Sequence, residues 1–353
     1  MNQKFLIILI VLTLSVAAFL SGYLISQNGF TKQSANLSGG SILNRFDENQ
    51  TQKNSSLGDP FALSRDAVLS PTLSKEKDSV VYYDRKDGKV FQISPRDLQE
   101  KLLSATLLPN LIKTVWSPTK KEVVSVFYDN NGERFKYYNY QTRKAVDLGP
   151  LVRSAVFSPD GSHLTYFRSQ GQNGTIYISS PDGDSPKKIF ETRITDLELY
   201  WPSPENLAFK TRSGGSDKVY ILSTTGELSK VIEEDGQVEL LWSSDGNRVL
   251  YSVSANETSL WFKDFLSSEN KDLVVSTTAS KCSWGIGNDY VVCSVPRSGA
   301  SGEDIYKIGL DGTKELLASP QKNIVAKQLM LTVLEEFVII LNNLDGKLYA
   351  LKI

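Results

Sequence analysis

The feature that most constrains the fold is a short motif that recurs along the chain, in which an aromatic or apolar residue is followed by a tight turn. The clearest copy is Phe157-Ser158-Pro159-Asp160-Gly161, whose last four residues each suit one position of a type I turn. Copies aligned on the residue before the turn are separated by 47, 41, 44, 41, 42 and 47 residues. These anchor residues are Leu69, Trp116, Phe157, Trp201, Trp242, Trp284 and, in a degraded copy, Leu331. Six nearly equal spacings between seven anchors predict seven copies of one structural unit.

A second aromatic residue recurs within each unit, on the strand after the next turn. In chain order it is Phe91, Tyr138, Tyr177, Tyr220, Trp261, Tyr306 and Tyr349. The runs between turns are short and rich in β-branched and aromatic residues, and no long stretch has the apolar period of a helix. Each unit therefore predicts a four-stranded antiparallel sheet, which buries both of its faces only by radial stacking. The sequence predicts an all-β, seven-bladed β-propeller over residues 61–353, with six or eight blades as the error range. Both aromatic sets are expected in the core between blades, not in a ligand cage.

The last unit ends at Ile353, just after its aromatic strand, so its fourth strand is missing from the C-terminal end. An open sheet edge is a liability, so we expect an upstream segment to fill the place. The two candidates are residues 61–63 and residues 42–46. A three-stranded last blade is the alternative.

The N-terminal residues predict export. An apolar run of 21 residues extends from Phe5 to Ile25, which is long enough to span a bilayer, and Lys4 is the only charge before it. We expect residues 1–4 to be cytoplasmic, residues 5–25 to be a transmembrane signal anchor and residues 26–60 to be a flexible polar linker. A cleaved secretory signal is the alternative, and it exports the rest of the chain equally.

Composition argues against several classes of function. Lys and Arg number 39 and Asp and Glu number 40, for a net charge of −1, so nothing suggests nucleic-acid binding. One histidine, His163, and two cysteines are too few for a His/Cys metal site, and His163 is expected to be an exposed strand residue. Many acidic residues lie in turns, which explains them structurally. Examples are Asp160, Asp182, Asp245 and Asp311. No Gly-x-Ser-x-Gly elbow is present. We expect no catalytic residue, cofactor or metal.

The two cysteines, Cys282 and Cys293, flank one Gly-rich hairpin. The corresponding positions of the preceding unit, Leu240 and Tyr251, are expected to face each other across two strands. Export makes a cross-strand disulfide possible, and such a bond would staple the hairpin. Two buried free thiols are the alternative.

The Ser-Pro-Asp-Gly turn after an aromatic residue, together with the Tyr-bearing third strand, resembles the TolB-type (WD40-like PD40) propeller repeat. The resemblance covers about residues 61–353 and is strongest over residues 154–190. It implies an exported β-propeller that works by binding other proteins. The chain is expected to differ from TolB by carrying a membrane anchor and by lacking the α/β domain that precedes the propeller in TolB.

We therefore expect a membrane-tethered, extracytoplasmic propeller that serves as a protein- or peptide-binding scaffold in envelope assembly or surface interaction. A cell-surface carbohydrate-binding or hydrolytic propeller is the alternative. The irregular aromatic cluster at residues 137–140 and several arginines near turns are the candidates for contact with a partner. These residues are Tyr137, Tyr140, Arg134, Arg153 and Arg212.

Overall fold

The computed structural model describes residues 58–130 and 132–353, and within these residues the chain forms seven antiparallel sheets of four strands each. The all-β, seven-bladed propeller predicted from the repeat is confirmed. The predicted cytoplasmic segment, the transmembrane segment and nearly all of the linker lie outside the described residues. None of the helical structure in the described part of the chain has the length and apolar character needed to cross a bilayer.

Six blades are formed by four consecutive strands each. Blade 1 contains β2 (Val68–Leu73), β3 (Val80–Asp84), β4 (Val90–Ile93) and β5 (Glu100–Ser104); blade 2 contains β6 (Leu111–Trp116), β7 (Glu122–Asp129), β8 (Gly132–Asn139) and β9 (Ala145–Asp147). Blade 3 contains β10 (Val152–Phe157), β11 (Leu164–Gln170), β12 (Asn173–Ser179) and β13 (Lys187–Thr192); blade 4 contains β14 (Glu198–Ser203), β15 (Asn206–Ser213), β16 (Ser216–Ser223) and β17 (Leu228–Glu234). Blade 5 contains β18 (Gln237–Trp242), β19 (Arg248–Ser254), β20 (Thr258–Asp264) and β21 (Asn270–Asp272). A 3₁₀ turn (Ala279–Lys281) precedes blade 6, which contains β22 (Cys282–Trp284), β23 (Tyr290–Pro296), β24 (Glu303–Gly309) and β25 (Lys314–Ala318).

Blade 7 closes the ring with strands from both parts of the chain. It contains β26 (Ala326–Leu331), β27 (Phe337–Asn342), β28 (Leu348–Lys352) and β1 (Phe61–Ala62). β1 pairs antiparallel with β28, and the amide of Leu63 continues the pairing by donating to the Leu348 carbonyl at 2.8 Å. Of the two candidate segments, residues 61–63 supply the missing strand, so the prediction of an upstream closing strand is confirmed and the three-stranded alternative is wrong. The other candidate segment, residues 42–46, lies outside the described residues.

The first strands of blades 1 to 4 contact one another in turn, as do those of blades 6 and 7, so the first strands surround the central axis of the ring. Serine hydroxyls join several of them: Ser70 Oγ accepts from the amide of Thr114 at 2.9 Å, and Ser154 Oγ accepts from the amide of Leu199 at 3.0 Å. We call the end of the ring that carries the turns between first and second strands the turn face. The opposite end, with the connections between second and third strands, is the loop face.

The recurring turn has one geometry in six blades. The amide of the first turn residue donates to the carbonyl of the residue five positions later, as from Ser158 to His163 at 3.0 Å. The amide of the fourth turn residue donates to the carbonyl of the first turn residue. The fourth residue has φ between 55° and 76°, which glycine adopts without steric cost. At Gly161 a Cβ would also lie 3.1 Å from the Thr119 side chain in the turn of the preceding blade. Glycine therefore suits this position for two reasons: the backbone conformation of the turn and the close packing against the preceding blade.

The first anchor, Leu69, was assigned wrongly. In blade 1 the turn runs from Ser74 to Ser79, with Lys77 at φ 56°, so the anchor is Leu73. The Ser-Pro pair after Leu69 lies instead inside β2, where the pairing register with β3 shifts. A bulge and a turn both tolerate Ser-Pro, which is why local sequence could not separate them.

The third-strand aromatic residues pack against second-strand side chains. Ring pairs Tyr82–Phe91, Tyr166–Tyr177, Phe209–Tyr220 and Tyr251–Trp261 are stacked, with centroids 5.0–6.2 Å apart. Blade 2 was misaligned: the equivalent residue, opposite Ser125, is Lys136, and Tyr138 lies two residues further on, opposite Val123. With the exception of Tyr138, the aromatic residues assigned to the two repeat positions belong to or pack against the hydrophobic core clusters: Trp116, Phe157, Trp201, Trp242, Trp284, Phe91, Tyr177, Tyr220, Trp261, Tyr306 and Tyr349.

Cys282 and Cys293 are directly opposite each other on β22 and β23, as Leu240 and Tyr251 are in blade 5. The two cysteines form a disulfide, with both residues buried.

Replacing both cysteines by alanine is expected to lower the free energy of unfolding by about 2–3 kcal/mol, because the bond closes a short loop in the unfolded chain. Denaturant titration of the oxidised protein and of the double variant measures the difference. Intact mass after alkylation, with and without prior reduction, checks the bond itself; two alkylated thiols in unreduced protein would contradict it.

Candidate functional site

A strongly polar cavity of about 390 Å³ opens on the loop face, where the first strands of blades 2–5 meet. Four cationic and three acidic side chains line it, contributed by blades 2, 3 and 4 and the connection before blade 4. These are Lys113, Arg153, Lys210, Arg212, Asp196, Glu198 and Asp217. We call this cavity the axial mouth.

Two ion pairs fix one side of the axial mouth. Lys210 Nζ lies 3.2 Å from Glu198 Oε2 and donates to the Val238 carbonyl at 2.8 Å. Arg212 Nη1 lies 3.1 Å from Asp217 Oδ1. The Asp217 carboxylate is buried and its Oδ2 accepts from the amide of Val238 at 2.8 Å, so it also ties blade 4 to blade 5. Blade 4 therefore holds its charged groups rigidly.

Glu198 is ionised in this setting. Burial opposes its charge, but the Lys210 ammonium, a hydrogen bond from Tyr200 and the more distant Lys113 outweigh burial and keep the pKa of Glu198 below its ordinary value. The pKa of the neighbouring Tyr200 hydroxyl changes in the opposite direction. Burial, and then the negative charge of Glu198, raise the pKa of Tyr200 well above its ordinary value. Tyr200 is thus a neutral hydrogen-bond donor throughout the physiological range.

The other side of the axial mouth presents cations that have no carboxylate partner. Arg153 is exposed and its Nη1 donates to two carbonyls, of Pro150 at 2.9 Å and Val152 at 3.1 Å. Lys113 is exposed as well. Among the residues that the structure describes, neither cation makes an ion pair within 4.0 Å. The mouth is therefore polarised, with unpaired cations on blades 2 and 3 facing carboxylates on blade 4.

The five residues expected to face a partner divide between two places. Arg153 and Arg212 both line the axial mouth. Tyr137 is buried, and the Tyr140 ring is stacked on Trp116 between blades 1 and 2, with its hydroxyl 2.8 Å from that of Tyr83. Arg134 pairs with Asp147 at 2.8 Å between the two outer strands of blade 2. His163 lies on the turn face, exposed at the end of its turn and not within a strand.

Four residues of the axial mouth were not predicted from the sequence: Lys113, Glu198, Lys210 and Asp217. Two of them, Lys113 and Glu198, lie at a position that the repeat marks. When blade 1 is aligned on Leu73, the residue three positions before the anchor is polar in all seven copies. These residues are Ser70, Lys113, Ser154, Glu198, Glu239, Lys281 and Gln328. Several of them bond to the next blade around the axis, as Glu239 Oε2 does to the amide of Ser280 at 3.2 Å.

The chemistry of the axial mouth is that of polar recognition. The hydroxyl of Ser154 is engaged by the amide of Leu199, so it already serves as an acceptor between blades. In the described part of the chain, no group of three or more His, Cys, Asp or Glu side chains is arranged to hold a metal ion.

No family model matches the chain. Among curated proteins, a stretch of 105 residues is 26% identical to the Tol-Pal system protein TolB of Anaeromyxobacter dehalogenans strain 2CP-C, covering 29% of this chain and 24% of TolB. TolB of Anaeromyxobacter sp. strain K matches over the same length with the same identity. The match thus spans about a quarter of the length of these relatives.

Solved structures share the fold at low sequence identity. A manganese complex of oligogalacturonate lyase has a TM-score of 0.61 at 13% identity and covers 85% of this chain and 94% of its own. The propeller domain of the Trilobed protease from Pyrococcus furiosus, which has an open velcro topology, has a TM-score of 0.57 at 15% identity and covers 81% of this chain and 95% of its own. TolB from Acinetobacter baumannii aligns over 70% of this chain and 62% of its own, with a TM-score of 0.47 at 17% identity. The chain is therefore similar to TolB over 105 residues, and it shares its fold with the propellers of other proteins.

Proposed function

We propose that this protein is a membrane-tethered, extracytoplasmic scaffold that binds a protein or peptide partner at the axial mouth. The observation that carries the proposal is the polarised mouth, where the unpaired cations Lys113 and Arg153 face the fixed carboxylates Glu198 and Asp217. A peptide carries backbone dipoles and charged side chains of both signs, so such a surface can orient it and reject partners of the wrong polarity.

Two further observations support the proposal. Partial sequence similarity to TolB, a protein of the Tol-Pal system, makes an envelope role the first choice. The apolar run of residues 5–25 supports tethering to a membrane with the propeller outside the cytoplasm.

Site-specific photo-crosslinking tests the proposed surface. A photoreactive residue at Gln237, on the rim of the axial mouth, is expected to yield a discrete protein adduct in intact cells. The same residue at Lys188, exposed on the outer strand of blade 3, is the matched control and is expected to yield none. The charge reversal K113E/R153E is expected to reduce the Gln237 adduct at least tenfold without changing the melting temperature.

Other outcomes would contradict the proposed binding surface. Equal adducts from both positions, or an adduct indifferent to the charge reversal, would place recognition elsewhere. Specific binding to a glycan array, with no protein adduct at Gln237, would favour the carbohydrate-binding alternative.

A further inference from the structure

A second cavity, of about 380 Å³, lies on the turn face between blades 1 and 2, in the size range of small-molecule pockets. The side chains of Val81 and Val90 form one wall. Trp116 and Tyr140 form another, and their rings are stacked with centroids 5.5 Å apart. Ser74, Gln92 and Thr119 add polar groups. We call this cavity the inter-blade cleft.

Lys120 lines the cleft from the fourth position of the blade 2 turn, with φ 59°. In blades 6 and 7 the side chain at this position reaches back to the preceding blade and forms hydrogen bonds there. Asn288 bonds to Ser244 at 3.0 and 3.1 Å, and Glu335 accepts from the amide of Ile286 at 2.9 Å. Lys120 also reaches back, and its Nζ donates to Thr72 Oγ1 at 2.9 Å. This one hydrogen bond to a hydroxyl uses only one of the three donors of the Lys120 ammonium, and a hydroxyl does not neutralise its positive charge.

No carboxylate compensates this charge within the described residues, since no ion pair includes Lys120. The nearest acid in its own turn, Glu122, is engaged by the hydroxyls of Ser117 and Thr119 at 2.9 and 2.8 Å. Lys75 and Glu76 stand together on the exposed rim of the cleft, where their opposite charges offset each other.

The surroundings of Lys120 disfavour its charged form. Burial, and then repulsion by the Lys77 ammonium, lower the pKa of Lys120 to about 8. A bound anion would supply the missing counter-charge and raise the pKa again.

We propose that the inter-blade cleft binds a small amphipathic carboxylate, with its carboxylate against the Lys120 ammonium and its apolar body against Trp116 and Tyr140. One ammonium acts as a point charge and matches one carboxylate, whereas no arginine fork lines the cleft to favour a phosphate. The stacked aromatic wall suits a flat or branched hydrocarbon body. This site lies on the turn face, so it is separate from the axial mouth on the loop face.

Calorimetric titration of the full-length protein with 3-phenylpropionate, and with its neutral analogue 3-phenylpropanamide, tests the proposal. At pH 7 the acid is expected to bind at least tenfold more tightly than the amide. Lys120→Met is expected to bring the two affinities within twofold of each other. Lys121→Met, which removes the exposed neighbouring lysine, is the matched control and is expected to keep the preference. Equal affinities in the wild type, or an undiminished preference in Lys120→Met, would overturn the proposal.

The pH dependence in the wild-type protein provides a readout that needs no substitution. The ammonium is charged below its pKa, so affinity for the acid is expected to be constant from pH 6 to 7. It is then expected to fall about tenfold per pH unit once the pH passes the pKa of free Lys120, about 8. Affinity for the amide is expected to stay flat. Acid binding that does not change between pH 6 and 10 would contradict a role for Lys120 even if Lys120→Met failed to fold.

Discussion

The double substitution F61S/L63S is expected to lower the free energy of unfolding by about 4 kcal/mol, because a buried leucine and a partly buried phenylalanine are lost at the point where the ring closes. Leu63 is buried in the core cluster that joins blades 7 and 1, and Phe61 packs edge-on against Phe337 with ring centroids 6.4 Å apart. For a domain of this size such a loss corresponds to a fall of roughly 10 °C in melting temperature.

Thermal and denaturant melts of the full-length protein measure this effect. The matched control is L228S/L316S, which alters two exposed leucines on the outer strands of blades 4 and 6. The control is expected to change stability by less than about 1 kcal/mol, since exposed positions away from special features contribute little. A result in which the two double variants are equally stable would mean that β1 does not hold the ring closed.

Glu303→Ala is expected to cost roughly 3–5 kcal/mol, as removal of one partner from a buried ion pair usually does. The Glu303 carboxylate is 4% exposed and lies 2.5 Å from Lys281 Nζ. It also accepts from Ser294 Oγ at 2.7 Å and from the amide of Ala326, on the first strand of blade 7, at 2.8 Å. Alanine would leave a largely buried ammonium and a buried amide without partners.

Glu303→Gln separates the contributions, because glutamine retains an acceptor for the Ala326 amide and loses the charge opposite Lys281. We expect it to be less destabilising than Glu303→Ala. Glu315→Ala, on the exposed outer strand of the same blade, is the matched control and is expected to be neutral within about 0.5 kcal/mol. Denaturant titration of the three variants orders them, and a Glu303→Ala protein as stable as the Glu315→Ala protein would contradict the assigned role.

Glu303 has a counterpart at the axial mouth. It occupies the same place in blade 6 that Asp217 occupies in blade 4, three residues before the third-strand aromatic residue. Both carboxylates accept from the first strand of the following blade at 2.8 Å. At Asp217 the cation is Arg212, whose side chain is 57% exposed, whereas at Glu303 it is Lys281, which is 19% exposed. The carboxylate is thus buried in both blades, and the cation paired with it is much more exposed in blade 4 than in blade 6.

The number of blades was predictable because a stacked repeat leaves its period in the sequence. Its exact alignment was less predictable. Ser70-Pro71 satisfies a bulge as well as a turn, and Tyr138 stands two residues from the position that Lys136 fills. Counting strands predicted that an upstream segment completes the last blade, and the structure identified residues 61–63 as that segment.

The two proposed binding sites were not predictable in the same way. The axial mouth brings together Lys113 and Gln237, which are 124 residues apart in the sequence, and its members come from blades 2 to 5. The inter-blade cleft depends on the direction in which the Lys120 side chain leaves its turn.

The sequence by itself determined the all-β class and the seven units, and it narrowed the closing strand to two upstream segments, because period-2 strands, turn residues and a fixed repeat can all be read along the chain. Only the tertiary structure decided which charged side chains meet at the axis and which are left without a counter-charge. The reason is physical: radial packing places residues from successive repeats side by side, and their burial and pairing depend on that proximity and not on their spacing in the chain.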